Sequence, residues 1–265
     1  MIYKFAVNSK DVQQGVIFSE YEQKLANGIL TFIEQSYATC GIFFPDKVLF
    51  IVKEPIASNP RFCPGYKTDC KSDYIIIASN NLTYWCQTMY QFGHEMTHAI
   101  IHYNSSLKSK STSWIEETIC EAMSLFFLKE AVINWESIRP QDFSQSYKEG
   151  IIEYLNNLLL EKGTNELTNS KSIKELQQIN DSSQDNRNTR KNEMHELFLH
   201  LDKDNINGLI NYRKYILPGT ILLNTKKYKA AFYSNQAVAC LCNLQDNIVS
   251  QQTAKLNSIK SLLTI

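Results

Sequence analysis

The chain has 265 residues, 43% of them hydrophobic, enough to bury a sizeable core either as one domain or as a catalytic lobe joined to a second lobe. Lys plus Arg and Asp plus Glu both total 27, so no overall field draws the chain to nucleic acid or to acidic lipid, and neither partner is expected. The stretch MIYKFAVNSKDVQQG lacks the charged-then-apolar pattern of a secretory signal, and no run of about 18 apolar residues could span a membrane.

The chain is therefore read as cytoplasmic, with export by another route left open. Its seven cysteines, Cys40, Cys63, Cys70, Cys86, Cys120, Cys240 and Cys242, form no Cys-x-x-Cys pair and are read as reduced thiols.

Residues 19 to 37 place Tyr21, Leu25, Ile29, Phe32 and Ile33 at helical spacing, with Ser19 as the cap. KVLFIVK (47 to 53) and DYIIIAS (73 to 79) are short β-branched runs of the kind that form buried strands. EPIASNPRFCPGYKTDCKS between them holds three prolines and a glycine and is predicted as loop. A helix is expected from Leu82 to about Tyr103, capped by Asn80 or Asn81, and it carries QFGHEMTHAIIH. NSSLKSKSTS breaks the pattern, and WIEETICEAMSLFFLKEAVINW resumes it as a second helix. Arg139-Pro140 ends that run, a further helix is expected within 141 to 163, and residues 164 to 192 look like a solvated helix or linker.

His94 and His98 stand four apart, so on a helix both imidazoles face one side and can share a metal ion. Glu95 lies about 100° round the helix, placed to act on a water at the metal's open position as general base. A catalytic zinc of this kind needs a third protein ligand, and Glu117 follows His98 after a gap of eighteen residues. Ser113 and Glu116 have capping-box spacing, which gives Glu116 a structural task. Glu117 and Glu121, four apart, share the next face, so one can bind the ion while the other accepts a hydrogen bond from a ligating histidine.

HEMTH, the gap of eighteen, and Glu117 within WIEETICEA together resemble the gluzincin zinc peptidases, most of all their aminopeptidase branch. The resemblance implies Zn2+ held by His94, His98 and Glu117, with Glu95 as catalytic base and proton shuttle and Glu121 supporting a ligand. The run Glu-Glu-x-Ile-Cys is also similar to a group of plant regulatory peptidases with a His-Glu-Met-x-His motif. YKEG at 147 to 150 is similar to the aminopeptidases' Tyr-x-x-Gly, which implies that Tyr147 steadies the tetrahedral intermediate, with His195 and Tyr103 as rivals. No Gly-x-Met-Glu-Asn segment is present, which points away from exopeptidase action. DYIIIAS would be the strand along whose edge an extended peptide lies.

Weaker signals take plainer readings. His102 is a helix C-terminal histidine, because the longer metzincin pattern needs a histidine where Asn104 stands. LDKDNINGLINYR is a turn rather than a calcium loop, and Trp85, Phe126, Phe127 and Trp135 are packing residues. The expectation is an α+β fold, with a zincin-like catalytic lobe over residues 1–135 and a mainly α-helical C-terminal lobe over residues 136–265. The expected activity is hydrolysis of a peptide or protein substrate by a zinc-activated water. Two readings compete: a helical interaction protein in which HEMTH is accidental, and a zinc-binding protein without turnover.

Overall fold

The structure is a computed structural model that describes residues 1–6, 15–55, 57, 59–65, 71–105, 112–170, 172–182 and 186–262, with side chains as far as residue 250. The fold is α+β, and its chain packs as two compact units, Met1–Ser106 with Met123–Leu160, and Leu107–Ala122 with Glu161–Ile265. Among the described residues no helix is long and apolar enough to cross a membrane.

The first unit is built on a four-stranded mixed sheet of β1 (Ile2–Ala6), β2 (Val48–Lys53), β3 (Arg61–Cys63) and β4 (Asp73–Ile77), in the order β1-β2-β4-β3. β1, β2 and β4 run parallel, and β3 pairs antiparallel with β4. β2 and β4 are the two expected strands. β1 comes from the stretch that the sequence reading used only to exclude a secretory signal. β3 corrects the expectation of a loop throughout 54 to 72: three residues between Pro60 and Pro64 pair with Tyr74, Ile75 and Ile76. Prolines sit comfortably beside so short an edge strand because no ladder bond is asked of them.

β3 also overturns the expectation that an extended peptide lies along β4. Over Tyr74–Ile76 both edges of β4 are paired, by β2 and by β3. The Ile77 carbonyl accepts from the Glu54 N–H at 3.0 Å, and the Gln91 amide both accepts from and donates to the Ala78 backbone at 3.1 Å.

Helix α1 (Glu20–Thr39) starts with the expected cap: Ser19 Oγ accepts from the Glu22 N–H, and the Glu22 carboxylate accepts from the Ser19 N–H. Its apolar face is buried at Leu25, Ile29, Phe32 and Ile33, whereas Tyr21 is exposed. Gly41, at φ +71, lets the chain leave the last turn, with the N–H of Ile42 returning to the Tyr37 carbonyl.

Helix α2 (Trp85–Asn104) begins three residues later than expected, because Asn81 engages its side chain with the Thr83 N–H in a turn instead of capping the helix. Tyr37 of α1 donates to Thr97 Oγ1 at 2.7 Å, since the Thr97 proton goes to the Gly93 carbonyl at 2.6 Å. Gly93 is needed at close range: a Cβ there would stand 3.0 Å from Phe127 Cδ2 and 3.2 Å from Ser124 Cα.

Phe127 and Ser124 belong to α3 (Ser113–Ile133), which is buried on all faces from Trp114 to Leu128 and reaches solvent in its last turns at Lys129 and Ile133. The short α4 (Trp135–Ile138) follows, and then α5 (Tyr147–Leu160). Trp85, Trp135, Phe126 and Phe127 are buried as packing residues.

The second unit is helical: the first turns of α3, then α6 (Ile173–Ser182), a tight 3-10 turn at Arg187–Arg190, and α7 (Lys191–Leu199). It continues with α8 (Ile206–Ile210), a 3-10 turn at Tyr212–Tyr215, α9 (Thr225–Ala231) and α10 (Gln236–Leu262). Trp114 of α3 donates through Nε1 to the Ile221 carbonyl at 3.2 Å, and Gln245 of α10 brackets the Leu223 backbone with two hydrogen bonds. The strip from 164 to 192, expected to be solvated, is anchored instead. Leu167, Leu176, Thr189 and Arg190 are all buried. The connection expected within 104 to 113 falls largely outside the described residues.

Candidate metal centre

The motif on α2 folds as a helix for ordinary reasons: Met89, Phe92, Met96, Ala99 and Ile100 are fully buried, and the polar residues between them share that burial. His94 is 3% exposed, Glu95 is 1% exposed, and His98 is half-buried. The two Nε2 atoms lie 3.2 Å apart. Nitrogens that bind one tetrahedral zinc at about 2.0–2.1 Å stand roughly 3.3–3.4 Å from each other. The imidazoles thus have the spacing of two corners of one coordination sphere. His102 sits in the last turn of α2, its ring against Phe62, as its helix-terminal reading requires.

His94, His98 and Cys120 each offer one ligand atom, and these atoms all lie within 4.8 Å of one another. Two imidazoles and a thiolate form a donor set that zinc takes readily, and the same is true of two imidazoles and a carboxylate. Cys120 is fully buried on α3, one turn beyond Glu117.

Glu117 itself has an arginine. Its Oε2 accepts from Arg190 Nη2 at 3.4 Å, and the same nitrogen lies 3.6 Å from Glu121 Oε1. Arg187 Nε pairs with Glu121 Oε1 at 3.2 Å. Arg190 is 1% exposed, so its charge is withdrawn from water and is balanced by these carboxylates.

Glu116 has the structural task expected of it, but not as a capping residue. Arg213 donates to it from Nε at 2.8 Å and from Nη2 at 2.7 Å, and the buried Tyr212 hydroxyl donates as well. Burial, followed by the charge of Glu116, raises the Tyr212 hydroxyl well above the ordinary tyrosine range.

Arg187, Arg190 and Cys120 are the residues that sequence reasoning did not single out. The two arginines lie in a strip of Asn, Ser, Lys and Gln that looks solvated, and their spacing of three is the one local hint that both could reach a common partner.

Tyr147 opens α5 and accepts a weak hydrogen bond from Cys86 Sγ at 3.7 Å, its ring stacked on Trp135. Cys86 precedes His94 by eight residues, roughly 12 Å along the helix axis. Burial, and then Cys86, push the Tyr147 hydroxyl above the ordinary tyrosine range. Tyr103 donates to Asp73 Oδ2 at 2.8 Å, and burial and that carboxylate raise its pKa. His195 is half-buried on α7. Asp202 accepts from the backbone N–H groups of Asp204 and Asn205, the turn that the sequence suggested. No family model, no curated protein and no solved structure matches the chain.

Proposed function

We propose that the chain is a zinc-dependent metallopeptidase with a zincin-like lobe. In this reading His94 and His98 hold the ion, Glu117 completes the ligand set of the working enzyme, and Glu95 is the general base. The observation that carries the reading is the 3.2 Å separation of the two Nε2 atoms, with Glu95 buried at the adjoining helical position. When bound, zinc supplies a Lewis acid for a carbonyl oxygen and lowers the pKa of a water towards about 7.

The chain's own residues do the rest. His94 and His98 stay at chelating distance because α2 is pinned at both ends of the motif, by Gln91 on Ala78 and by Thr97 on Tyr37. Glu95 removes a proton from the attacking water and returns it to the leaving amine, which preserves the proton balance of peptide hydrolysis. Glu121, one turn beyond Glu117, is held by Arg187 and Arg190. Tyr147, to which the resemblance assigns the steadying of the tetrahedral intermediate, accepts from Cys86 and keeps its own hydroxyl proton to donate.

The test compares cleavage of a proteome-derived peptide library by native protein, by Glu95→Gln, and by native protein treated with a zinc chelator. We expect cleavage by the native protein alone, with Glu95→Gln still binding one equivalent of zinc. Identical background patterns in all three arms would defeat the enzyme reading, and absence of zinc from the native protein would defeat the metal reading with it.

A further inference from the structure

We infer that the hairpin of residues 215–224, with the lysines at its base, is a docking surface for an anionic lipid bilayer. It lies wholly within the second compact unit and is independent of the metal site.

The balance of 27 basic against 27 acidic residues averages away a local excess. Residues 205 to 245 hold Arg213, Lys214, Lys226, Lys227 and Lys229 and no Asp or Glu. Arg213 pairs with Glu116 at 2.7 Å and Lys229 with Asp246 at 2.9 Å. Lys226 and Lys227 are exposed, as is Lys214, whose ammonium donates only to the neutral amide of Asn211.

Between these lysines the chain folds back on itself. The Asn224 N–H donates to the Tyr215 carbonyl at 2.7 Å and the Leu217 N–H to the Leu222 carbonyl at 2.8 Å, with Ile216 and Leu223 as antiparallel partners. Leu217-Pro218-Gly219-Thr220 makes the tip, with Gly219 at φ +74 and the Thr220 N–H on the Leu217 carbonyl at 3.1 Å. Trp114 holds one arm through Ile221, and Gln245 holds it again through Leu223. The base is therefore fixed, while residues 218–220 are exposed and Leu217 and Leu222 are half-buried.

Lys214 stands just before one arm, and Lys226 and Lys227 stand just after the other. The rings of their neighbours Tyr215 and Tyr228, stacked at 4.5 Å, join the two flanks. An uncharged aliphatic tip with ammonium groups around its base suits a bilayer: the tip enters the headgroup region while the lysines stay with the anionic headgroups. Tyr233, 90% exposed just past α9, has the character of a residue at a membrane interface. Nucleic acid favours guanidinium forks on its phosphates, and the one arginine of this stretch is spent on Glu116.

The experiment sediments the full chain with sucrose-loaded vesicles of phosphatidylcholine, alone or with one third phosphatidylserine. Native protein should bind the mixed vesicles and not the neutral ones, and raised salt should release it. A lysine near such a surface strengthens binding roughly fivefold, so Lys226→Gln with Lys227→Gln should weaken it about 25-fold. Leu217→Ser should weaken it while leaving the salt dependence in place. Lys24→Gln with Lys162→Gln removes the same charge from exposed positions elsewhere and should change binding by less than about twofold. Far-ultraviolet circular dichroism checks that each variant is folded.

Absence of binding to the mixed vesicles would overturn the inference, as would equal binding to neutral ones. Equal weakening by the two double variants would overturn it by reducing the effect to net charge. Retention of a DNA duplex without binding to vesicles would overturn it in favour of a nucleic-acid partner.

Discussion

Gly93→Ala is a direct probe of how closely α2 is held against α3 beside the two histidines. Alanine is favoured over glycine inside a helix by about 1 kcal/mol. At Gly93 that gain meets a cost. The new Cβ would stand 3.0 Å from Phe127 Cδ2 and 3.2 Å from Ser124 Cα, and the second of these is backbone, which cannot rotate aside. Adding a methyl group to a filled interior costs about 1–3 kcal/mol.

Gly28 supplies the control. It lies in the middle of α1, is exposed, and a Cβ added to it would meet no atom within 4 Å, so Gly28→Ala should show the helical gain undiminished. Both glycines belong to the same compact unit and report on its unfolding together. The helical term cancels between the two variants, and their difference is the packing cost alone, about 1–3 kcal/mol.

Urea unfolding followed by far-ultraviolet circular dichroism measures the difference. Gly28→Ala should stabilise by about 1 kcal/mol, worth a rise in Tm of roughly 2–4 °C in a chain of this size. Gly93→Ala should destabilise by about 1 kcal/mol after its helical gain is subtracted. Equal stabilisation by both alanines would refute the close approach of the two helices.

Lys53 Nζ meets Glu22 Oε1 at 2.6 Å. Burial pushes the Glu22 carboxyl up, but hydrogen bonds from Lys53 and Ser19 with the charge of Lys53 outweigh it, and the pKa falls below the ordinary carboxylate range. The contribution of the pair is therefore complete above the unfolded carboxyl pKa, about 4.3, and drains away as pH falls through the lower folded value. Lys53→Met should cost roughly 2–3 kcal/mol at pH 7, less than a fully buried pair because Glu22 keeps some contact with water. Native and variant stabilities that stay equally far apart from pH 7 down to pH 2 would count against that assignment.

Glu116→Gln should cost about 3–5 kcal/mol by leaving Arg213 buried without its carboxylate, and the double variant Glu116→Leu with Arg213→Leu should recover most of the loss. Urea midpoints decide the matter, and a single variant within about 1 kcal/mol of native would contradict it. Burial, with Glu196 nearby, pushes the Cys240 thiol up to about 12, and burial with Asp246, opposed by Lys229, does the same for Cys242. At pH 8 both should alkylate with iodoacetamide roughly a thousandfold more slowly than a free cysteine, and at the ordinary rate once unfolded in urea. Mass spectrometry of each peptide over time checks this, and ordinary rates in the folded protein would argue against buried thiols.

What the sequence made legible was what local pattern controls. Ser19 and Glu22 announce the start of α1 within four residues, and the apolar spacing that follows names its buried face. His94 and His98 meet because one helical turn brings them together, whatever the rest of the chain does. The losses share a cause, which is that distant partners outcompete local ones. Ser113 and Glu116 have the spacing of a capping box, yet Arg213, 97 residues further on, takes the carboxylate. Arg190 finds Glu117 across 73 residues, a pairing that no periodicity encodes. β3 has too few residues for any alternation to show and exists because β4 lends it a partner. Cys120 passes for one more apolar residue of α3, since a buried thiol and a buried alanine leave the same mark on a hydropathy pattern.

The Gln91 amide, bonded to both backbone groups of Ala78, behaves like one residue of a strand that the chain supplies for itself. Among the described residues the continuation of β4 is sealed, and the strand beyond it on that side is the three-residue Arg61–Cys63. Three residues of ladder grip a guest weakly and read nothing of its sequence. Under the proposed peptidase reading, discrimination among substrates would fall to side-chain contacts, and directed evolution of selectivity would have its best purchase there rather than along the sheet.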